Sequence, residues 1–210
     1  MSERRTPVTP ELEAFLAPWW DAPPPVLARI RDDIHARGKY PMQISFEQVA
    51  LHGWLCRLVG ARRILEVGTY FGLSAAGFAL AAPDCRVDTV ELEAEHAEIA
   101  RGWLREAGVA ERVTVHLGPA LEVLPGLAGP YDVCFLDGDK ADNPALLELA
   151  IGRVRSGGLI LVDNAFRDGR VTAAGGEEPT QRVLDLARGD ERLDAIVLPV
   201  ADGILACRRV

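Results

Sequence analysis

The chain has 210 residues, 49% of them hydrophobic, which is enough to bury a full core and suits one α/β unit rather than two domains. With 31 acidic against 23 basic residues it carries a formal net charge of −8, which argues against nucleic acid or an anionic membrane as partner, since both are bound mainly through clustered Lys and Arg. Cys56, Cys85, Cys134 and Cys207 lie in or beside apolar stretches without Cys-x-x-Cys spacing, so neither zinc nor a disulfide frame is indicated and a reduced, cytoplasmic protein with a small-molecule partner is expected.

Residues 11 to 40 read as a helical arm broken by Pro18, Pro23, Pro24 and Pro25, with a helix over 26 to 37 that stops at Gly38. Such an arm is a cap, a lid or a dimer arm, and a homodimer is the expected assembly. Phe15, Trp19 and Trp20 are expected to pack it against the domain or a second subunit. Ser45 is placed to cap a helix in which Phe46, Val49, Ala50, Trp54, Leu58 and Val59 repeat at helical spacing.

Strands are expected at 63 to 67, 86 to 91, 113 to 117, 131 to 136, 158 to 162, 195 to 200 and 203 to 208. Helices at 73 to 82, 94 to 107, 144 to 154 and 179 to 188 alternate with them in the βαβ rhythm of a parallel sheet. Only Ala201-Asp202-Gly203 joins the last two strands, and a parallel return needs a dozen or more residues, so the final strand is antiparallel to its partner. The fold expected is a Rossmann-like, doubly wound seven-stranded α/β sheet over 41 to 210, preceded by the arm at 1 to 40. Residues 173 to 178 are the most loop-like stretch, His52, His96 and His116 are expected on or beside element surfaces, and no stretch of about 18 uncharged apolar residues suggests a membrane span.

Asp137-Gly138-Asp139-Lys140 and Asp163-Asn164 each close an apolar run, 131 to 136 and 158 to 162, that reads as a strand buried on both faces. Neighbouring strands lie about 4.8 Å apart, so Asp137, Asp163 and Asn164 are placed to share one hard cation with water or substrate oxygens. An all-oxygen set favours Mg²⁺, with Mn²⁺ or Ca²⁺ possible, over metals that select Cys or His.

The first strand runs into Glu66-Val67-Gly68-Thr69-Tyr70-Phe71-Gly72-Leu73-Ser74. Its glycines let backbone approach a ligand, but the spacing is not Gly-x-Gly-x-x-Gly. With no Lys or Arg in the turn and Glu66 just ahead of it, the place suits a ligand bearing an ammonium and a sulfonium, as S-adenosylmethionine does, better than a pyrophosphate. Glu91 ends the second strand roughly 23 residues after Gly68, where an acid reaches ribose hydroxyls. Turn geometry alone is the alternative reading of Gly68 and Gly72.

These stretches, with Gly118-Pro119-Ala120-Leu121, Gly157-Gly158-Leu159-Ile160 and Leu198-Pro199-Val200-x-Asp202-Gly203, occur in an order that resembles the cation-dependent O-methyltransferases over about residues 40 to 210. That group includes catechol O-methyltransferase and caffeoyl-CoA O-methyltransferase. The resemblance implies the class I S-adenosylmethionine-dependent methyltransferase fold. It also implies that Glu66, Gly68, Tyr70, Ser74 and the backbone of Ile44 hold the methionine part of S-adenosylmethionine, Glu91 the ribose and Ala120 the adenine. Asp137 would touch both metal and cofactor, Asp163 and Asn164 would complete the metal ligands, Lys140 would be the general base, and Asp139 a cofactor-side or outer acid. The alternative for Lys140 is an exposed lysine paired with Asp139.

The acceptor implied is a small hydroxylated molecule, catechol-like or otherwise vicinal-dihydroxy. Gly138, Leu73, Asn143 and Arg167 depart from the family's usual residues, leave the metal ligands intact, and admit a polar acceptor or one with a carboxylate; a solvated loop arginine is the other reading of Arg167. Two rival functions share the fold: a dinucleotide-dependent oxidoreductase and a catalytically silent Rossmann-like binding module.

Overall fold

The apolar runs become strands β1 (Arg63–Val67), β2 (Arg86–Glu91), β3 (Val113–Leu117), β4 (Tyr131–Leu136), β5 (Val154–Asp163), β6 (Leu193–Leu198) and β7 (Ile204–Arg209). The computed structural model describes residues 6–20, 23–39, 42–172 and 179–210. Its helices are α1 (Pro10–Leu16), α2 (Pro25–Ala36), α3 (Phe46–Leu58), α4 (Leu73–Ala81), α5 (Ala94–Glu106), α6 (Ala120–Val123), α7 (Asn143–Ile151) and α8 (Pro179–Gly189). The seven strands form one sheet in the order β3-β2-β1-β4-β5-β7-β6.

Strands β1 to β5 pair in parallel, while β7 runs antiparallel between β5 and β6. The short 201–203 link therefore does what its length requires. Side chains of the central strands alternate between two cores, as a period of two demands. Ile64, Val133 and Phe135 pack with Leu27, Ile30 and Phe78 on one face, and Leu65, Cys134 and Leu136 with Leu146, Leu147 and Val183 on the other. Covering on both faces is what runs without polar alternation need. All four cysteines are buried and free. Leu27, Ile30 and Ile34 belong to the first core, so α2 is built into the domain's packing.

Several expectations are corrected. β5 begins at Val154 rather than at 158, because a register shift between Tyr131 and Val133 lets Val154 pair with Tyr131 before Leu159 pairs with Val133. β6 spans Leu193–Leu198 rather than 195 to 200, since Pro199 has no N–H to give the ladder. In α3 the buried face carries Gln48, His52, Gly53 and Cys56, while Trp54 and Leu58 are exposed. Small residues set that choice: Gly53 lies against Ala81, and Gly77 of α4 against Val49, so the two helices meet where Trp54 could not fit. His52 is thus 2% exposed, parallel to Phe78 at a centroid distance of 5.8 Å and tilted against Phe135 at 4.6 Å, and burial pushes its imidazole down to about 3, which leaves it neutral.

Phe15 and Trp19 do not pack against the domain, at 71% and 79% exposure. Residues 173 to 178 lie outside the described residues. Among the described residues no helix is long and apolar enough to cross a membrane.

Candidate functional site

Strand order reverses between β1 and β4, and the crevice at such a switch point, outside the strand C-termini, is where ligands bind open α/β sheets. Gly68 follows β1 with φ +95°, and a Cβ there would collide with the carbonyl oxygen of Asp137 at the end of β4. Only glycine lets these two segments touch. Tyr70 is left-handed too, with φ +50°, which aims its N–H at Glu91 Oε2, 2.6 Å away. Glu93 N–H donates to Glu91 Oε1 at 2.9 Å. Two backbone donors therefore fix the Glu91 carboxylate at the rim of a cavity of about 480 Å³, also lined by Gly68, Tyr70, Ala120, Asp137 and Asp139.

Glu66, Ser74 and Ile44 stand apart from that group. Glu66 is 0% exposed and lies beneath the turn, where Thr89 Oγ1 donates to its Oε2 at 2.5 Å and its Oε1 has no partner. Burial pushes its carboxyl up to about 8, against the opposing pull of the Ser74 and Thr89 hydroxyls, with the charges of Asp137 and Glu91 raising it further. Ser74 is buried in the first turn of α4 and is not among the residues that line the cavity beside Glu91. Ile44 lines a second cavity of about 920 Å³ beside Gln48, Asp163, Asn164 and Arg167.

A pH dependence follows from Glu66. Its folded value lies above the ordinary carboxyl value of 4.5, so the folded chain keeps a proton that the unfolded chain releases, and stability is full below about 4.5 and is lost as pH rises toward 8. Thermal melts of the ligand-free protein between pH 5 and 8 should fall less steeply for Glu66→Gln than for wild type, by up to about 1.4 kcal/mol per pH unit for one proton. Parallel slopes would show that Glu66 is ionised when buried.

Asp137 and Asp163 follow the paired residues Leu136 and Val162, so their carboxyls are neighbours at the boundary of the two cavities. Burial raises the Asp137 carboxyl, opposed by Lys140. Burial and then the charge of Asp137 push Asp163 up to about 7, opposed by Lys140, the Asn164 backbone and Gln48. Lys140 Nζ donates to Asp137 Oδ1 at 2.7 Å, with the lysine side chain 14% exposed. The lysine thus pairs with Asp137 rather than with Asp139, whose Oδ1 accepts from Ala141 N–H at 3.0 Å. Asn164 adopts φ +58°, and its Nδ2 donates to Asp202 Oδ2 at 3.2 Å.

The two carboxylates share a single cationic neighbour, Lys140, and the third residue, Asn164, offers an amide oxygen. Among the described residues no group of three or more His, Cys, Asp or Glu side chains gathers to hold a metal; the set here is two carboxylates and one amide. All its donors are oxygens, which fits a hard divalent cation and not a thiophilic one.

Gln48 was not marked by sequence reading. It is 3% exposed and donates from Nε2 to Asp163 Oδ1 at 2.6 Å. A Ser followed three residues on by Gln is a capping-box signal, and the box is present, but nothing local to the signal reveals a partner 115 residues away. Of the residues that depart from the family pattern, Gly138 lines the first cavity, Arg167 the second, and Leu73 and Asn143 are buried.

Comparison with known proteins converges on one group. Residues 21–210 match the O-methyltransferase family profile. A catechol O-methyltransferase of Mycobacterium tuberculosis is 41% identical over 178 residues, covering 82% of this chain and 80% of the relative. Caffeoyl-CoA O-methyltransferase 5 of Nicotiana tabacum is 33% identical, covering 80% and 78%. Among solved structures, the O-methyltransferase TomG from Streptomyces achromogenes, in complex with S-adenosylmethionine, superposes with TM-score 0.88 at 29% identity over 95% of this chain and 96% of that one.

Proposed function

The chain belongs to the O-methyltransferase family and is an S-adenosylmethionine-dependent O-methyltransferase, and from that premise we propose that it requires a divalent cation and methylates one hydroxyl of a small vicinal-dihydroxy, catechol-like acceptor. The observation that carries this reading is the pair of carboxylates, half-buried Asp137 and buried Asp163, at adjacent strand ends between two cavities, with the Lys140 ammonium against the first of them. The oxidoreductase and silent-module alternatives find no support in the relatives.

Asp137, Asp163 and Asn164 would hold the cation, Mg²⁺ by donor type with Mn²⁺ or Ca²⁺ also accommodated. When bound, it supplies positive charge that stabilises a phenolate and so acidifies a hydroxyl otherwise near pKa 10. Once Lys140 has released its ammonium proton to solvent, its Nζ carries the lone pair that takes the acceptor's O–H proton. The oxygen lone pair then forms the new bond to the methyl carbon while the carbon–sulfur bond breaks and its electrons return to sulfur, leaving S-adenosylhomocysteine. Chain residues contribute positioning, which supplies much of the acceleration in an in-line displacement. The cavity beside Glu91 takes the nucleoside and the cavity beside Asp163 the acceptor. Trp19 and Trp54 lining one apolar trough support a homodimer, and four free buried thiols support a cytoplasmic setting.

Glu91→Ala should weaken S-adenosylmethionine binding by about 1.5 to 3 kcal/mol, the range for hydrogen bonds to a charged group. Glu91→Gln separates this loss from slackening of the turn, because its amide oxygen can still accept from Tyr70 N–H. Affinity unchanged by calorimetry in both variants would remove Glu91 from the ribose site. The acceptor class is tested by a methyl-transfer screen with Mg²⁺ that sets vicinal-dihydroxy phenolics against their monohydroxy counterparts. Equal rates for the two series would refute the vicinal-diol assignment.

A further inference from the structure

We propose that Gln48 and Asp202 are positioning residues that decide which oxygen of Asp163 and which end of the Asn164 amide face the cation. This inference rests on the metal reading above and concerns two side chains that are not ligands in it.

Gln48 sits in the first turn of α3 with both ends of its amide committed. Ser45 N–H donates to its Oε1 at 3.0 Å, while Gln48 N–H donates to Ser45 Oγ at 3.1 Å. With Oε1 engaged as an acceptor, the amide cannot turn over, and Nε2 is presented to Asp163 Oδ1 at 2.6 Å. One carboxylate oxygen is thereby tethered to a donor and Oδ2 is left for the cation.

Asp202 lies in the turn between β6 and β7 and acts on the other ligand. Its Oδ2 accepts from Asn164 Nδ2 at 3.2 Å and its Oδ1 from Asp168 N–H at 2.9 Å. The same turn grips the backbone beyond Asn164, for Ala165 N–H donates to Gly203 O at 2.9 Å and Phe166 N–H to Asp202 O at 2.8 Å. An ionised carboxylate can only accept, so it selects the NH₂ end of Asn164 and turns Oδ1 the other way. Were the amide reversed, two N–H donors would face the cation. Outer partners of this kind fix ligand orientation in metal sites and are worth about 10- to 100-fold in affinity.

The sequence marked the segment around Asp202 without giving it a role. Its geometry supplies one, joining a metal ligand to the Arg167–Asp168 segment of the acceptor cavity.

The test is Mn²⁺ binding to the full chain stripped of metal, read by electron paramagnetic resonance together with the melting temperature. An Asn at 202 can satisfy Asp168 N–H or Asn164 Nδ2 but not both in their present orientation, so D202N should bind Mn²⁺ about 10- to 100-fold more weakly, as should Q48L. S45A removes half of the capping box but leaves the Gln48 amide on Asp163, so it should lower the melting temperature without the loss of affinity. Polarity reversal provides a second line: in N164D/D202N the new amide donates to the new carboxylate, so the gain from N164D should be larger in the D202N background than in wild type. D202N and Q48L as tight as wild type, with D163A still unable to bind, would overturn this inference alone. A wild-type chain that takes up no Mn²⁺ would overturn both it and the metal reading.

Discussion

Asp163→Ala should all but abolish methyl transfer to a catechol acceptor while S-adenosylmethionine binding stays largely intact. The two effects separate because Asp163 lines the cavity proposed for the acceptor, whereas Glu91, Gly68, Tyr70 and Ala120 line the other one. Charge stabilisation by a cation is worth several kcal/mol, and at about 1.4 kcal/mol per tenfold the rate should drop on the order of 10³-fold or more. Asp137→Ala should damage both functions, since Asp137 lines the cavity proposed for the cofactor and carries the Lys140 contact. Removing Asp163 also strands the Gln48 amide, so Asp163→Asn, which keeps an acceptor for Nε2, is the better-folded companion. Turnover by Asp163→Ala close to that of wild type would remove the cation from this place.

Lys140 offers the second large effect. Lys140→Ala should lower turnover by about 10²- to 10⁴-fold, the range for loss of a general base, with far less change in acceptor affinity. Its Nζ also offsets the charge of Asp137, so loss of charge and loss of the base must be told apart. Lys140→Arg keeps the positive charge but cannot give it up at any accessible pH. The arginine variant should therefore melt near wild type and yet turn over as slowly as the alanine one. In both, the defect should shrink as pH rises, because an acceptor that has already ionised needs no base. An active Lys140→Arg would make the lysine an electrostatic partner of Asp137 and no more.

The sheet was legible because its signals are local and strong. Runs such as Val133–Leu136 have no polar alternation, and the three residues 201–203 leave no room for a crossover. Placing Asp137 beside Asp163 followed from strand adjacency, and the β4–β5 register bears that out. What could not be read were choices made by distant packing. The apolar repeat of α3 pointed its Trp54 inward, but the small residues Gly53, Gly77 and Ala81 bring α3 and α4 too close for an indole, and Gln48 and His52 took the inner face. Glu66 was marked by its place before Gly68, yet whether it faces the ligand or the interior depends on Thr89 and Ser74, set on other elements. Gln48 and Asp202 reach their partners only after the chain has closed on itself.

The central claim, that a cation held by Asp137, Asp163 and Asn164 activates the acceptor hydroxyl, is tested most directly by one titration: the rate of methyl transfer from S-adenosylmethionine to a catechol by the EDTA-stripped wild-type chain as Mg²⁺ is added back. The expected result is no turnover without the cation and a saturable return as the site fills. A full rate in EDTA, unchanged by Mg²⁺, would contradict it and leave a metal-independent O-methyltransferase in its place.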